Sequence, residues 1–352
     1  MEIVKPFSGI KVIELASVLA GPAVGMFFAE LGAHVIKIEN PITDGDVTRK
    51  WKLPQEDTKE KTSAYYLSCN WGKEILFIDI SENRGKQQLL KLLSDADILI
   101  LNFKSGDAEK FKLDYDSLSP SFPKLIYAHI SGYGESDSRP AFDLVMQAET
   151  GFMSMNGTTE SGPLKMPVAF IDLMAAHQLK EGILTGLLNR MKTGKGCCIH
   201  VSLFDSAIAS LANQASNYLV AKNETITAGS LHPNIAPYGE TFSCSDKRFV
   251  VLAVGNDEQF SHLCDVCGLK NIASDERFKY NHSRVVNRHE LFQLLRPFFA
   301  HHSSGEISIL LKKSSVPFAV VKTVGEILET HESEGLILDK NCVKTAVFSI
   351  RN

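Results

Sequence analysis

The chain has 352 residues, 44% hydrophobic and 22% charged, enough to build a full-sized core and, by length, about two domains. Its 37 Lys and Arg stand against 41 Asp and Glu, a formal charge of −4 with both signs interspersed. That balance excludes the broad positive field by which proteins gather nucleic acid, so any anionic ligand must be met locally.

The opening Met1-Glu-Ile-Val-Lys-Pro-Phe lacks the basic start and apolar run of a secretory signal, and no apolar stretch is long enough to span a bilayer. Seven scattered cysteines, an odd number, fit reduced thiols, and a cytoplasmic protein is expected. Ile10-Lys-Val-Ile-Glu-Leu is a short β-branched run, Ala16–Pro22 a loop of small residues, Val24-Gly-Met-Phe-Phe-Ala-Glu-Leu-Gly-Ala a helix, and His34-Val-Ile-Lys-Ile-Glu a second strand. This order predicts a parallel strand-helix-strand unit. Glu39 ends the second strand, where nucleotide folds often carry an acid, yet Gly21, Gly25 and Gly32 lack the G-x-G-x-x-G spacing that admits a pyrophosphate. A dinucleotide-dependent oxidoreductase is the reading from a different enzyme class, and it fails at those glycines. Residues 44–62, rich in Lys, Asp and Glu, read as an exposed, solvated excursion.

Further strands are Ile75-Leu-Phe-Ile-Asp-Ile, Ile98-Leu-Ile-Leu and Leu125-Ile-Tyr-Ala-His-Ile, with a helix over Glu82–Leu93; together they predict a doubly wound sheet. A helix over Leu173–Leu188 is stopped by the glycines of Lys192-Thr-Gly-Lys-Gly. Phe204–Leu219 predicts one more helix, whose small residues, among them Ala207, Ala212 and Ala215, allow close packing. Beyond about residue 225 the pattern changes. Strand-like Glu240-Thr-Phe and Phe249-Val-Val-Leu-Ala-Val precede helices near Asn256–Cys267, Arg288–Phe299 and Ser304–Lys312. The chain therefore divides into a large α/β domain, residues 1–225, and a smaller α+β domain, residues 226–330. Cys264 and Cys267 have the separation of half a zinc site or a redox pair, but no second pair follows; with His262 they read as core packing on a helix, and no metal is expected. The closing Ile350-Arg-Asn is no familiar sorting tag.

Ala128-His-Ile-Ser-Gly-Tyr-Gly leads from a strand end towards Asp143, and ligands of doubly wound sheets collect beyond the carboxyl ends of strands. A carboxylate opening a helix is by default a cap, and the same default covers Asp172 in Phe170-Ile-Asp-Leu. His129, in a strand of alternating apolar residues, reads as a satisfied interior histidine. Local context alone does not make Asp143 catalytic.

A series of short stretches, spread in order over nearly the whole chain, changes the odds. They are Val18-Leu-Ala-Gly-Pro, Leu31-Gly-Ala-His-Val-Ile-Lys-Ile-Glu, Asp97-Ile-Leu-Ile-Leu-Asn-Phe, Ser131-Gly-Tyr-Gly, Arg139-Pro-Ala-Phe-Asp, Thr193-Gly-Lys-Gly, Val201-Ser-Leu-Phe-Asp, His232-Pro-Asn-Ile-Ala-Pro-Tyr and Val254-Gly-Asn-Asp. In these the chain resembles the class III coenzyme A transferases, the family of formyl-CoA transferase, with alpha-methylacyl-CoA racemase as a relative. The resemblance implies a Rossmann-like large domain to which residues 331–352 return, a smaller α+β domain, and a homodimer of interlocked chains with linkers near residues 220–230 and 325–340. It implies that Asp143 is the nucleophile. Coenzyme contacts are implied at Val18, Leu19 and Ala20, at Asn40, at Ile78 and Asp79, at Asn102, Phe103 and Lys104, at Lys110, and at the Ser131-Gly132-Tyr133-Gly134 turn. Where relatives often place a basic residue after the second strand this chain has Asn40, so part of the phosphate grip is expected from elsewhere. Relatives also continue into a longer tail; here the return is expected as a final apolar strand, Cys342-Val-Lys-Thr-Ala-Val-Phe.

The implied activity is an acyl-CoA:carboxylate CoA-transferase, with coenzyme A or acyl-CoA as substrate, a carboxylic acid as acceptor, no tightly bound cofactor, and neither nucleic acid nor membrane as partner. An ionised Asp attacks the thioester to give a mixed anhydride and thiolate; the thiolate returns to give an aspartyl-CoA thioester, and an incoming carboxylate reverses the sequence. The oxyanions need donors, for which the N–H groups of Gly132–Gly134 or Gly151 are candidates, and water must be excluded. The racemase relatives pair an aspartate in the stretch matching Asp172 with a histidine directly before the nucleophile position. Phe142 stands there and cannot exchange a proton, so α-methylacyl-CoA racemase/epimerase is the alternative within the family. His232-Pro-Asn-Ile-Ala-Pro-Tyr resembles members acting on small dicarboxylic acids, which implies a succinate-like or branched short-chain substrate.

Overall fold

The computed structural model describes residues 5–348; Met1–Val4, where the stretch read for a secretory signal begins, and the closing Ile350-Arg-Asn lie outside them. By packing, the chain forms two compact units. One holds the residues through Phe152, Lys165–Ser216 and the segment from Glu332; the other holds Met153–Leu164 and Asn217–His331. Among the described residues no helix is long and apolar enough to cross a membrane.

The first unit is built on β1 (Lys11–Leu15), α1 (Ala20–Glu30), β2 (His34–Glu39), β3 (Glu74–Phe77), α2 (Asn83–Leu93), β4 (Ile98–Leu101), β5 (Ile126–Ser131), α3 (Asp143–Glu149), α4 (Phe170–Thr193), β6 (Cys197–Ser202) and α5 (Leu203–Ala209). The six strands form one sheet in the order β3-β2-β1-β4-β5-β6, every pair parallel. Alternate side chains face opposite sides. Val12, Val35, Ile98 and Ile126 pack with α1 and α4, whereas Ile13, Ile36, Leu99 and Leu101 pack with Leu89 and Leu93 of α2. Strand order reverses between β1 and β4, so their carboxyl ends open a crevice where a ligand can lie.

Two charged residues interrupt this apolar alternation. Glu14 and Lys37 are register partners on β1 and β2, and both are fully buried. The Lys37 Nζ lies 3.0 Å from Glu14 and 3.0 Å from Asp46 and donates to the Ala16 carbonyl at 2.6 Å. Lys73, also buried, reaches Glu14 at 2.8 Å. A Cβ on Gly25 of α1 would run into the Glu14 carboxylate, so only glycine lets the helix pass over it. The excursion over 44–62 is mostly exposed, as expected, but its start is corrected. Asp46 and Thr48 are buried, because Asp46 supplies the second anion that a buried lysine requires. Burial alone would depress the Lys37 ammonium, but Glu14 and Asp46 together raise it above its ordinary value.

Other boundaries also move. Helix α1 starts at Ala20, inside the expected loop; Pro22 lies in the first turn, where a missing N–H costs nothing. The helix expected over Phe204–Leu219 breaks after Ala209 and resumes as Ala212–Ala221, with Ala212 at φ 47° and no buried residue in the second piece. The expected final strand shrinks to Cys342–Val343, paired with Ile337–Leu338. Beyond it the Glu30 carboxylate takes the N–H groups of Thr345 and Ala346 at 2.8 and 3.0 Å, which replaces ladder hydrogen bonds.

The second unit has a three-stranded antiparallel sheet, β7 (Tyr238–Ser243), β8 (Phe249–Ala253) and β9 (Phe318–Val320), with β8 central. Helices α6 (Asp257–Val266), α7 (Arg288–His301) and α8 (Ser304–Lys313) cover it through Phe260, Leu263, Leu291, Leu295, Phe299 and Ile307. Cys264 belongs to this core, and burial pushes its thiol up to about 12, as suits a packing residue. Arg284 is wholly buried; it donates to the Ala236 and Phe278 carbonyls at 2.7 and 2.9 Å and lies over the Phe260 ring.

The buried charges of the first unit make a direct prediction. Lys37→Met strands Asp46 without a cation and is expected to cost about 3–5 kcal/mol, read as a lower urea midpoint for the transition of that unit.

Candidate active site

Two adjoining clefts open at the carboxyl ends of the strands, both within the first unit. The first, about 350 Å³, is bounded by the turn after β1, the segment after β4, the end of β5, and Phe142 and Asp172. The second, about 700 Å³, is bounded by the ends of β1 and β2, residues 43–47, Lys50 and Ile78–Ser81. Ser17, Val47 and Phe103 line both.

The residues singled out from the sequence fall unevenly on these walls. Val18, Leu19, Ala20, Asn102, Phe103, Lys104, Ser131 and Gly132 line the first cleft, and Asn40, Ile78, Asp79 and again Phe103 line the second. Tyr133, Gly134, Lys110 and Asp143 itself line neither, although Phe142 and Asp172 beside Asp143 line the first. Tyr133 lies beneath the Arg139 guanidinium, 3.6 Å from its ring centre, and donates to Glu149 at 2.9 Å. The Gly134 N–H is engaged by Ser131 Oγ at 3.0 Å, so it is not an open oxyanion donor. Lys110 pairs with Asp107 on the surface.

The turn at Val18 is held by side chains far away in sequence. Asn102 braces Ser17 on both sides, accepting its N–H at 3.0 Å and donating to its carbonyl at 2.8 Å. The Val18 N–H points at Asp46, 3.2 Å from the nearer oxygen. Val18 has φ 71°, a left-handed conformation that a β-branched residue adopts only under constraint, and such strain collects at functional loops. Helix α1 then begins at the cleft wall with no side-chain cap, the arrangement by which helix starts receive anions.

Asp143 is not the N-cap of its own helix. Phe142 occupies that position, and no side chain caps it. The Asp143 carboxylate instead faces the start of α4: Oδ1 accepts the N–H of Ile171 at 2.7 Å and of Asp172 at 3.4 Å, and Oδ2 accepts Gln147 Nε2 at 2.6 Å. The buried Gln147 is fixed in turn because its Oε1 accepts the Met166 N–H at 2.8 Å. Sequence reasoning missed both Gln147 and the backbone donors of α4. The only trace of Gln147 is its spacing four residues after Asp143, which puts both on one helix face.

Asp172 corrects the capping expectation. It is the third residue of α4, after the uncapped Ala169, is 7% exposed and lines the first cleft. Burial, and secondarily the charge of Asp143, push it up to about 7. His129 is buried, and its Nε2 meets the Phe103 carbonyl at 2.9 Å, as read from the sequence. Glu39 proves to be spoken for: it pairs with Arg49 at 2.6 Å and accepts Tyr66 Oη at 2.7 Å. It is therefore not an open partner for a ribose hydroxyl, which removes the main support for a dinucleotide enzyme.

If Asp143 is the reacting carboxylate, Gln147→Leu should lower turnover about ten- to hundredfold by releasing it, with little effect on substrate binding; steady-state kinetics in a folded variant check this. Asp172 has a folded value above its ordinary 3.8. Its contribution to stability is therefore fully present below that value, declines as pH rises towards about 7, and is flat above. Relative to Asp172→Asn, the parent should lose up to roughly 4 kcal/mol across this window, read from denaturation midpoints against pH.

Comparisons with known proteins show the family. The family model described as "CoA-transferase family III" matches residues 7–339. The chain is 38% identical over 328 residues to a succinate–glutarate CoA-transferase of Agrobacterium fabrum, covering 92% of this chain and 81% of the relative. It is 32% identical over 344 residues to the human succinyl-CoA:glutarate CoA-transferase, covering 96% and 77%. The crystal structure of a CAIB/BAIF family protein from Brucella suis superposes with a TM-score of 0.86 at 37% identity, over 98% of this chain and 92% of that one. The chain, with its parallel sheet and clefts at the strand ends, thus belongs to CoA-transferase family III.

Proposed function

We propose that this enzyme transfers coenzyme A from a short-chain acyl-CoA to a carboxylic acid, with Asp143 as the nucleophile. The observation that carries the reading is the Asp143 carboxylate, half-buried between two cleft-wall residues and fixed through both oxygens by the α4 backbone and Gln147. In the first step an Asp143 oxygen bonds to the thioester carbonyl carbon and the C–S bond breaks, giving a mixed anhydride and coenzyme A thiolate. The thiolate attacks Cγ of Asp143 and expels the donor acid, leaving an aspartyl-CoA thioester. The acceptor carboxylate attacks Cγ, releasing the thiolate and forming a second anhydride. Attack of the thiolate on the acceptor carbonyl then forms the new acyl-CoA and restores Asp143.

Whenever Cγ is attacked, negative charge builds on an aspartyl oxygen. The N–H groups of Ile171 and Asp172 already face Oδ1, at the positive end of a 24-residue helix. Below about pH 7 Asp172 is held neutral, so an acceptor carboxylate meets one fixed negative charge there instead of two.

The succinate and glutarate enzymes among the relatives support a small dicarboxylic acid as substrate. The strand order supports a Rossmann-like coenzyme domain, and the exposed Leu219 and Val220 support the implied homodimer. We place this chemistry in the cytoplasm.

Asp143→Asn should reduce acyl exchange more than about 10³-fold, and mass spectrometry of the parent mixed with succinyl-CoA should show coenzyme A attached at Asp143. Exchange at the parental rate by the Asn variant would refute the mechanism.

A further inference from the structure

If the thioester reacts at Asp143 beside the first cleft, the nucleotide end of the coenzyme extends into the second, since the two adjoin at Ser17, Val47 and Phe103. That end carries a phosphate monoester on the ribose 3′ oxygen, a dianion for most of its titration near neutrality, which calls for a cation. The cleft's charged groups can be taken one by one. Lys37 is sealed in its buried cluster with Glu14 and Asp46, Glu39 is held by Arg49, Asp79 accepts from Ser81 at 2.9 and 2.6 Å, and Asp107 is paired with Lys110. Asn40 is neutral and uses its side chain to accept the Ile42 N–H at 2.9 Å.

Lys50 remains. Its side chain is 59% exposed, and its Nζ meets only the Thr43 carbonyl at 3.2 Å and the Asp44 carboxylate at 3.1 Å, the latter 80% exposed. Such an exposed pair is worth little and exchanges readily. The backbone below it, by contrast, is pinned. Lys50 ends the 3₁₀ turn Val47–Lys50, which Asp46 caps at the Thr48 N–H; the Ser63 hydroxyl holds the Thr48 carbonyl at 2.6 Å, and Arg49 points inward to Glu39. A rigid stem thus presents a replaceable ammonium to the cleft.

We propose that Lys50 is the specificity residue for the 3′-phosphate of the coenzyme, supplying from the excursion the charge that Asn40 lacks. The inference rests on the coenzyme A reading above. Isothermal titration of the parent, Lys50→Ala and Lys50→Arg with coenzyme A and with 3′-dephospho-coenzyme A tests it. The parent is expected to prefer coenzyme A by about tenfold. Lys50→Ala should bind the two alike, through loss of coenzyme A affinity alone, and Lys50→Arg should restore most of the preference. If Lys50→Ala keeps the preference, or weakens both ligands by the same factor, the assignment to Lys50 is wrong while the coenzyme reading stands. If the parent binds neither compound, both fall.

Discussion

A lysine ammonium inside a parallel sheet is tolerable only with anions against it, and Lys37 has two. One, Glu14, is its neighbour on the sheet; the other, Asp46, arrives from a segment that would otherwise have little reason to fold back. Much of the cleft geometry follows from that requirement. Asp46 draws the excursion over the strand ends, directs the Val18 N–H into a strained turn, and caps the short turn that ends in Lys50. The Glu39, Arg49 and Tyr66 cluster fastens the same excursion a second time.

The reacting end of the cleft depends on a different device. Asp143 is oriented by the start of a helix from another part of the chain rather than by its own. A carboxylate so placed is preorganised for both roles that the proposed mechanism gives it. Three donors fix its lone pairs for the proposed attack, and the α4 backbone N–H groups lie where charge would develop on the proposed intermediate, so that mechanism needs little rearrangement in either direction. Asp172 beside it, largely out of water, is neutral below about pH 7, which in the proposed transfer limits repulsion of an anionic acceptor.

The two clefts also divide the electrostatic work. Nearly every charge on the second cleft is consumed internally, which keeps the wall rigid but leaves few groups to meet an anionic ligand. The chain's slight negative balance is consistent with that. An anionic ligand would meet individual cations there, not a positive surface.

The strands, most helices and the parallel order were legible in the sequence because apolar periodicity and glycine stops are local signals, as in Ile98–Leu101 or at Gly194. The motif at Asp143 was legible only through resemblance, since a lone carboxylate at a helix start looks like any cap. What the sequence could not determine were pairings across long separations: Asp46 with Lys37 and Val18, Asn102 with Ser17, Asp143 with Ile171. The anchored start of the excursion, at Asp46 and Thr48, therefore passed for solvated surface, and the partners of Glu39 stayed out of sight. A charged residue shows its type in the sequence but not its partner, and in a low-dielectric interior the partner decides whether that charge builds the wall or meets the ligand.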